Sequence, residues 1–123
     1  MLKFKKENKY KAKKTEIDGI KFDSLAEASY YEILKHREKM GVIEILELQP
    51  KVYLSKAKIL FKPDFLISNY GVLEYHEVKG KKLPVYNLKK RLFKFYGKHK
   101  LVEVSLKGRH FEITDEVICE KQA

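Results

Sequence analysis

Three charged residues sit where a sheet should be apolar. In "FKPDFLISNYGVLEYHEVKGKK", residues 61–82, Asp64 lies in one strand-like run, and Glu77 and Lys79 lie in the next. Charges are normally kept out of the middle of a sheet. Two carboxyls and an ammonium group are, however, the set that metal-assisted hydrolysis of a phosphodiester uses: hard oxygens for a divalent cation, and a cation to orient water or offset developing charge. Side chains alternate along a strand, so Glu77 and Lys79 share a face. If Ser68 pairs with Leu73 around a four-residue loop, Asp64 falls directly opposite Glu77, with Cβ atoms ~5 Å apart. Leu66 and Tyr75 share that face, and Phe65, Ile67 and Val78 occupy the other. A one-residue slip would separate the two acids. Adjacent carboxylates repel unless a proton or a cation lies between them. A surface pairing of either acid with Lys62 or Lys79 on a half-solvated sheet explains the spacing as well. Large apolar residues on both faces favour a buried central hairpin.

The elements around this hairpin follow from capping and periodicity. "TEIDGIKFDS" carries an Asp18-Gly19 turn between Ile17 and Ile20, the mark of a short hairpin. "DSLAEASYYEILKHREKMG" is a helix with Ser24 as N-cap, Glu27 three residues later as a capping box, and Gly41 as a stop. At 100° per residue, Tyr30, Tyr31 and Leu34 lie within about 60° of Glu27, so this carboxyl points toward the core and needs a partner there. "VIEILELQPKVYLS" is extended and bent at Gln49-Pro50, and two further strands flank the Asn69-Tyr70-Gly71 turn. Pro84 opens a second helix in which Val85, Leu88, Leu92 and Phe95 form the 3.6-residue stripe and Gly97 is the stop. "LVEVSL" is a fourth strand, and "HFEITDEVI" is a fifth strand or a terminal helix. The order is helix, three strands, helix, strand, an α/β domain with a mixed sheet. Residues 1–14 form a basic arm, and residues 15–123 a single domain.

Charge narrows the partners. The 123-residue chain carries a formal net charge of +10, concentrated in two blocks. Residues 1–14 hold seven lysines and one acid, and residues 78–102 hold nine Lys or Arg and no acid. Blocks this one-sided favour a polyanion over simple solubility. No run approaches the ~18 apolar residues of a membrane span, and neither block has the large apolar face of a membrane-surface helix. The lysine-rich N-terminus has no secretory h-region. Cys119 is the only cysteine, which excludes an intrachain disulfide and a four-cysteine zinc site. A reducing, cytoplasmic setting is expected.

Pro63-Asp64, a spacer of twelve, and Glu77-Val78-Lys79 resemble the signature of the PD-(D/E)XK nuclease superfamily, which includes restriction endonucleases and archaeal-type Holliday-junction resolvases. The wider stretches "KYKAKKTEIDGIKFDSLAEASYY", "LELQP", "FKPDF" and "EVKGKKLPVYNLKKRLF" are similar to small phage and prophage proteins of that superfamily. The resemblance implies a restriction-endonuclease-like α-β-β-β-α-β core. It also implies Mg2+ or Mn2+ held by Asp64, Glu77 and the Val78 backbone carbonyl, and Lys79 acting on the nucleophilic water or the developing charge. Glu27 is the matching position for an acid from the first helix, with the Ser24 capping box as its other explanation. DNA, including branched intermediates, is the implied substrate, and a homodimer is needed to cut a symmetric junction. Lys89, then Lys90, are the second-helix residues expected to reach a phosphate. Lys81, Lys82 and Tyr86 are placed by sequence to meet DNA, as are Lys13 and Lys14 in the arm. Gln49 either contacts substrate or a metal-bound water, or simply marks the strand bend.

Two other readings stay open at this level: a non-catalytic nucleic-acid-binding protein on an inherited nuclease fold, and a phage protein that binds another protein. His36, His76, His99 and His110 have no metal-ligand spacing, and His76 should face away from Glu77. Phe93, Phe95 and Tyr96 read as core, and Cys119 as inert.

Overall fold

The structure is a computed structural model that describes residues 15–120. The basic arm, with Lys13 and Lys14, lies outside the described residues. Asp18 and Gly19, both at positive φ, make the two-residue turn between β1 (Thr15–Ile17) and β2 (Ile20–Phe22). Helix α1 (Leu25–Lys39) starts where the Ser24 Oγ accepts the Glu27 N–H at 3.0 Å. It ends at Met40 and Gly41, the latter at φ +77°, a conformation that suits glycine at a helix C-terminus.

The main sheet has the order β3-β6-β7-β8-β9, built from β3 (Ile43–Leu48), β6 (Phe65–Asn69), β7 (Val72–Val78), β8 (Lys100–Lys107) and β9 (His110–Val117). Only β7 and β8 run parallel, joined by α2 (Pro84–Tyr96). Between β3 and β6 the chain makes a small ribbon of β4 (Val52–Tyr53) and β5 (Leu60–Phe61). The order α1-β3-β6-β7-α2-β8 is the α-β-β-β-α-β arrangement expected, with a mixed sheet flanked by helices. "HFEITDEVI" adds an antiparallel edge strand rather than a helix. Among the described residues no helix is long and apolar enough to cross a membrane.

The two faces carry separate cores. On one, α1 sets Ala28, Tyr30, Tyr31 and Leu34 against Phe65, Ile67, Val102 and Val104. On the other, Tyr86 and Phe93 of α2 meet Tyr75, Leu101, Phe61 and Cys119. His76 points to the α1 side, as expected, where its ring bonds Tyr30 Oη at 2.5 Å and Glu74 Oε1 at 2.9 Å. Burial pushes the Tyr30 hydroxyl up to about 12, so it stays protonated in this network.

The second helix departs from the expected facing. Of Val85, Leu88, Leu92 and Phe95, only Leu92 is partly buried, and the other three are more than half exposed. The buried line runs instead through Tyr86, Lys90, Phe93 and Gly97. Of the Phe93, Phe95 and Tyr96 set, only Phe93 is core. Gly97 is at φ −72°, so its glycine is not needed for backbone conformation. A Cβ there would come within 2.5 Å of the Phe93 ring and 2.7 Å of Cys119 Sγ. Gly97→Ala is therefore expected to destabilise by about 1–3 kcal/mol through overpacking. Gly41→Ala, with nothing near its Cβ, should cost only about 1 kcal/mol for its positive φ. Urea denaturation of the two variants checks the order, and equal losses would contradict it.

Candidate metal centre

The hairpin that carries the acids is closed by Tyr70-Gly71, both at positive φ. Pairing runs Asn69↔Val72, Ser68↔Leu73, Ile67↔Glu74, Leu66↔Tyr75 and Phe65↔His76. The loop is thus two residues rather than four, while the register is the one expected. Asp64 lies one residue beyond the last paired position. There the two acids stitch the strands together through side chains: Glu77 Oε1 accepts the Asp64 N–H at 3.1 Å, and Asp64 Oδ2 accepts the Val78 N–H at 2.8 Å. On the opposite flank Gln49, at φ +49°, breaks β3 and donates its N–H to the Asp64 carbonyl at 2.9 Å. The strand bend is real, and it also brings Gln49 to the wall of a pocket shared with Glu27 and Asp64.

Glu27 reaches the same point from the first turn of α1. Its N–H is held by Ser24, but its carboxyl turns toward Asp64, and Oε2 is buried with no hydrogen-bond partner. Lys79 Nζ stands 3.2 Å from Glu77 Oε2 and 4.5 Å from the centre of the Tyr86 ring. Glu27, Asp64, Glu77, Val78 and Lys79 line one cleft of about 400 Å³. The structure thus brings together every residue that the sequence assigned to metal binding and catalysis.

Their electrostatics are those of crowded carboxyls. Burial, then the charges of Glu77 and Glu27, push the Asp64 carboxyl up to about 10. Burial also raises Glu27 and Glu77, and Lys79 works against the shift at Glu77. The cluster therefore favours taking up a proton, with Asp64 the acid raised furthest, the condition expected of like charges forced together without a cation. With oxygens turned onto backbone N–H groups and one another, no set of three His, Cys, Asp or Glu among the described residues stands ready-made for a metal ion.

The residues expected to meet DNA divide into two sets. Lys81 lines the cleft, and Lys62 and Lys89 line an adjoining pocket that shares Glu77, Lys79 and Lys81 with it. Tyr86, Lys82 and Lys90 turn inward instead, onto an acid that the sequence reading missed. Glu103 of β8, fully buried, accepts Tyr86 Oη at 2.7 Å, Lys90 Nζ at 3.0 Å, Lys82 Nζ at 2.9 Å and Thr114 Oγ1 at 2.5 Å. It is the β8 neighbour of Glu77 in the parallel ladder. Burial opposes its charge, but the bonds from Thr114, Lys82, Tyr86 and Lys90 outweigh it and hold the carboxyl down at about 2. Lys90 also bonds Asp115 at 2.8 Å. The signal was present in "LVEVSL": an acid inside an apolar strand.

The family model described as "Protein of unknown function (DUF1064)" matches residues 7–112. The chain belongs to this DUF1064 family. The DUF1064 match spans Glu27, Asp64, Glu77, Lys79 and Glu103, begins inside the stretch read as a basic arm, and ends before Thr114 and Asp115. No curated protein and no solved structure matches the chain.

Two outcomes follow. A carboxyl whose folded pKa lies above its ordinary 3.8 favours folding most at low pH and loses that contribution as pH climbs from 3.8 toward 10. In chelator, Asp64→Asn should therefore gain on wild type between pH 5 and pH 9. The gap should widen by less than the ~1.4 kcal/mol per pH unit of one full proton, because solvent in the cleft screens the charges. A gap that does not change with pH by urea denaturation would show that Asp64 holds no proton. Glu103→Ala leaves the buried Tyr86 hydroxyl without its acceptor and Lys90 with Asp115 alone, and should cost about 3 kcal/mol. Tyr86→Phe should cost about 1 kcal/mol, and the reverse order would contradict the hub.

Proposed function

We propose that this protein is a divalent-metal-dependent endonuclease that hydrolyses phosphodiester bonds in DNA, on a restriction-endonuclease-like core of the PD-(D/E)XK type. The observation that carries the reading is the convergence of Asp64, Glu77 and Glu27 with Lys79 in one cleft. The donor set fits Mg2+ or Mn2+. The oxygens are hard, the Oε2 of Glu27 is buried without a partner, and the proton forced onto Asp64 marks a place where positive charge is wanted. Asp64, Glu77, Glu27 and the Val78 carbonyl are the groups that would hold the ion. The chemistry supplied by such an ion is Lewis acidity toward a phosphoryl oxygen and a bound water of lowered pKa.

The chain's own residues do the rest. The Lys79 ammonium, steadied between Glu77 and the face of Tyr86, orients the attacking water and offsets charge that develops on the phosphoryl oxygens. Lys81 in the cleft, with Lys62 and Lys89 in the adjoining pocket, takes neighbouring phosphates and makes binding salt-dependent. Gln49 lies at the other edge of the acids, within reach of a bound strand. Branched DNA of phage recombination or replication is the substrate this reading favours, cut in the cytoplasm by a homodimer where two strands must be cleaved symmetrically.

A second reading has its own observation. Because the acids bond backbone N–H groups and form no ready-made ligand set, the fold would also serve a protein that binds nucleic acid without cutting it. Labelled linear, flap and four-way DNA, incubated with Mg2+ or with EDTA, separates the two. Cleavage should need Mg2+ and fall by on the order of 10²–10³-fold or more in Asp64→Ala and Glu77→Ala. Cleavage that persists in both variants would sink the site. Salt-sensitive binding with no cleavage on any substrate would favour the second reading.

A further inference from the structure

Beside the carboxyl cleft lies a second compartment of about 560 Å³, and the two share Glu77, Lys79 and Lys81. Its walls are of a different kind. Leu60, Phe61, Leu83 and Val85 supply apolar surface, while Lys62, Lys81 and Lys89 stand around it. Leu83 and Val85 are 54% and 64% exposed, at the point where α2 begins. They are left outside because Tyr86 and Lys90 take the inward face to reach Glu103.

An apolar wall has little to do in the hydrolysis of a charged ester, and little to meet on a continuous duplex. A duplex presents phosphates, sugars and the polar edges of bases, and stacking covers the base faces. A nucleotide that is unpaired and unstacked presents the complement of this compartment: a flat apolar base joined to a phosphate on each side. The volume lies within the range of sites that enclose a small molecule. Tyr86 is not the stacking surface, since Lys79 and Lys90 stand 4.5 Å and 5.5 Å from its ring centre. The base would lie against Leu60, Leu83 and Val85.

We propose that this compartment takes one unpaired nucleotide of the substrate strand, with the lysines on its phosphates, so that the preferred substrate is DNA carrying an unpaired nucleotide beside the scissile phosphate. The proposal rests on the nuclease reading for its position beside the reacting phosphate. It goes beyond that reading in naming the substrate class.

The test uses the full-length protein and two DNA probes of one sequence, each carrying a single 2-aminopurine, unpaired at a flap base in one and paired within a continuous duplex in the other. Affinity and fluorescence are read in Ca2+, and cleavage in Mg2+. The unpaired probe should bind about tenfold more tightly, with a rise in fluorescence as the base leaves its neighbours. The double variant Leu83→Ser, Val85→Ser changes no charge, and serine is a good residue at the helix start, so its circular dichroism should match wild type. In it the preference should fall below about twofold. Val72→Glu, exposed at the far hairpin turn, should keep the preference. Equal affinity for the two probes, with cleavage of the continuous duplex, would overturn this inference and leave the nuclease reading standing. Selective binding of the unpaired probe without cleavage of either would support the compartment and overturn the nuclease reading. A preference that survives the double serine variant, or failure to bind either probe, would overturn the inference.

Discussion

The mutual repulsion of Asp64, Glu77 and Glu27 is the constraint around which the rest of the molecule is arranged. Three carboxyls from three elements meet where the central hairpin ends and α1 begins. Left to itself, such a cluster would push those elements apart. Each element is therefore tied to the point by a separate device. The Tyr70-Gly71 turn fixes the register of the hairpin. Ser24 fixes the first turn of α1, and Gln49 adopts a left-handed conformation that binds the Asp64 backbone to the end of β3. The acids help to hold their own scaffold, each taking the N–H of the facing strand where the ladder stops. A cation would relieve the remaining repulsion, and without one a proton on Asp64 serves.

Glu103 gives the other half of the logic. It lies beside Glu77 in the sheet, yet its pKa moves in the opposite direction. The difference is its partners: two lysines, a tyrosine and a threonine surround it. One acid is thus held ionised by its partners, while burial raises the acid beside it. With Tyr86 and Lys90 turned to Glu103, Tyr86 lies under Lys79, and Val85 and Leu88 are left to solvent. Structure and chemistry are linked here through a single buried charge.

Much of this was legible in the sequence. Turn chemistry and strand alternation gave the register that aligns Asp64 with Glu77, and helical geometry placed Glu27 with the core. The charges in the hairpin were informative because large apolar residues on both faces marked the strands as buried. The same reasoning, applied to Glu103 in "LVEVSL", would have drawn Lys82, Tyr86 and Lys90 inward and corrected the facing of α2. It was not legible because the apolar stripe of Val85, Leu88, Leu92 and Phe95 is a stronger local signal than one acid. Periodicity reports which helix face is apolar, but not which face a distant strand will claim. Gly97 is similar, since only the packed Phe93 ring and Cys119 explain it.

In the proposed metal site, a divalent cation would replace the proton that the crowded carboxyls favour. Proton release on metal binding tests it most directly. When Mg2+ or Mn2+ is added to weakly buffered protein at neutral pH, on the order of one proton per chain should leave, and the release should disappear in Asp64→Asn. Metal binding without proton release, or release unchanged in Asp64→Asn, would contradict the account, as would calorimetry that detects no binding of either ion.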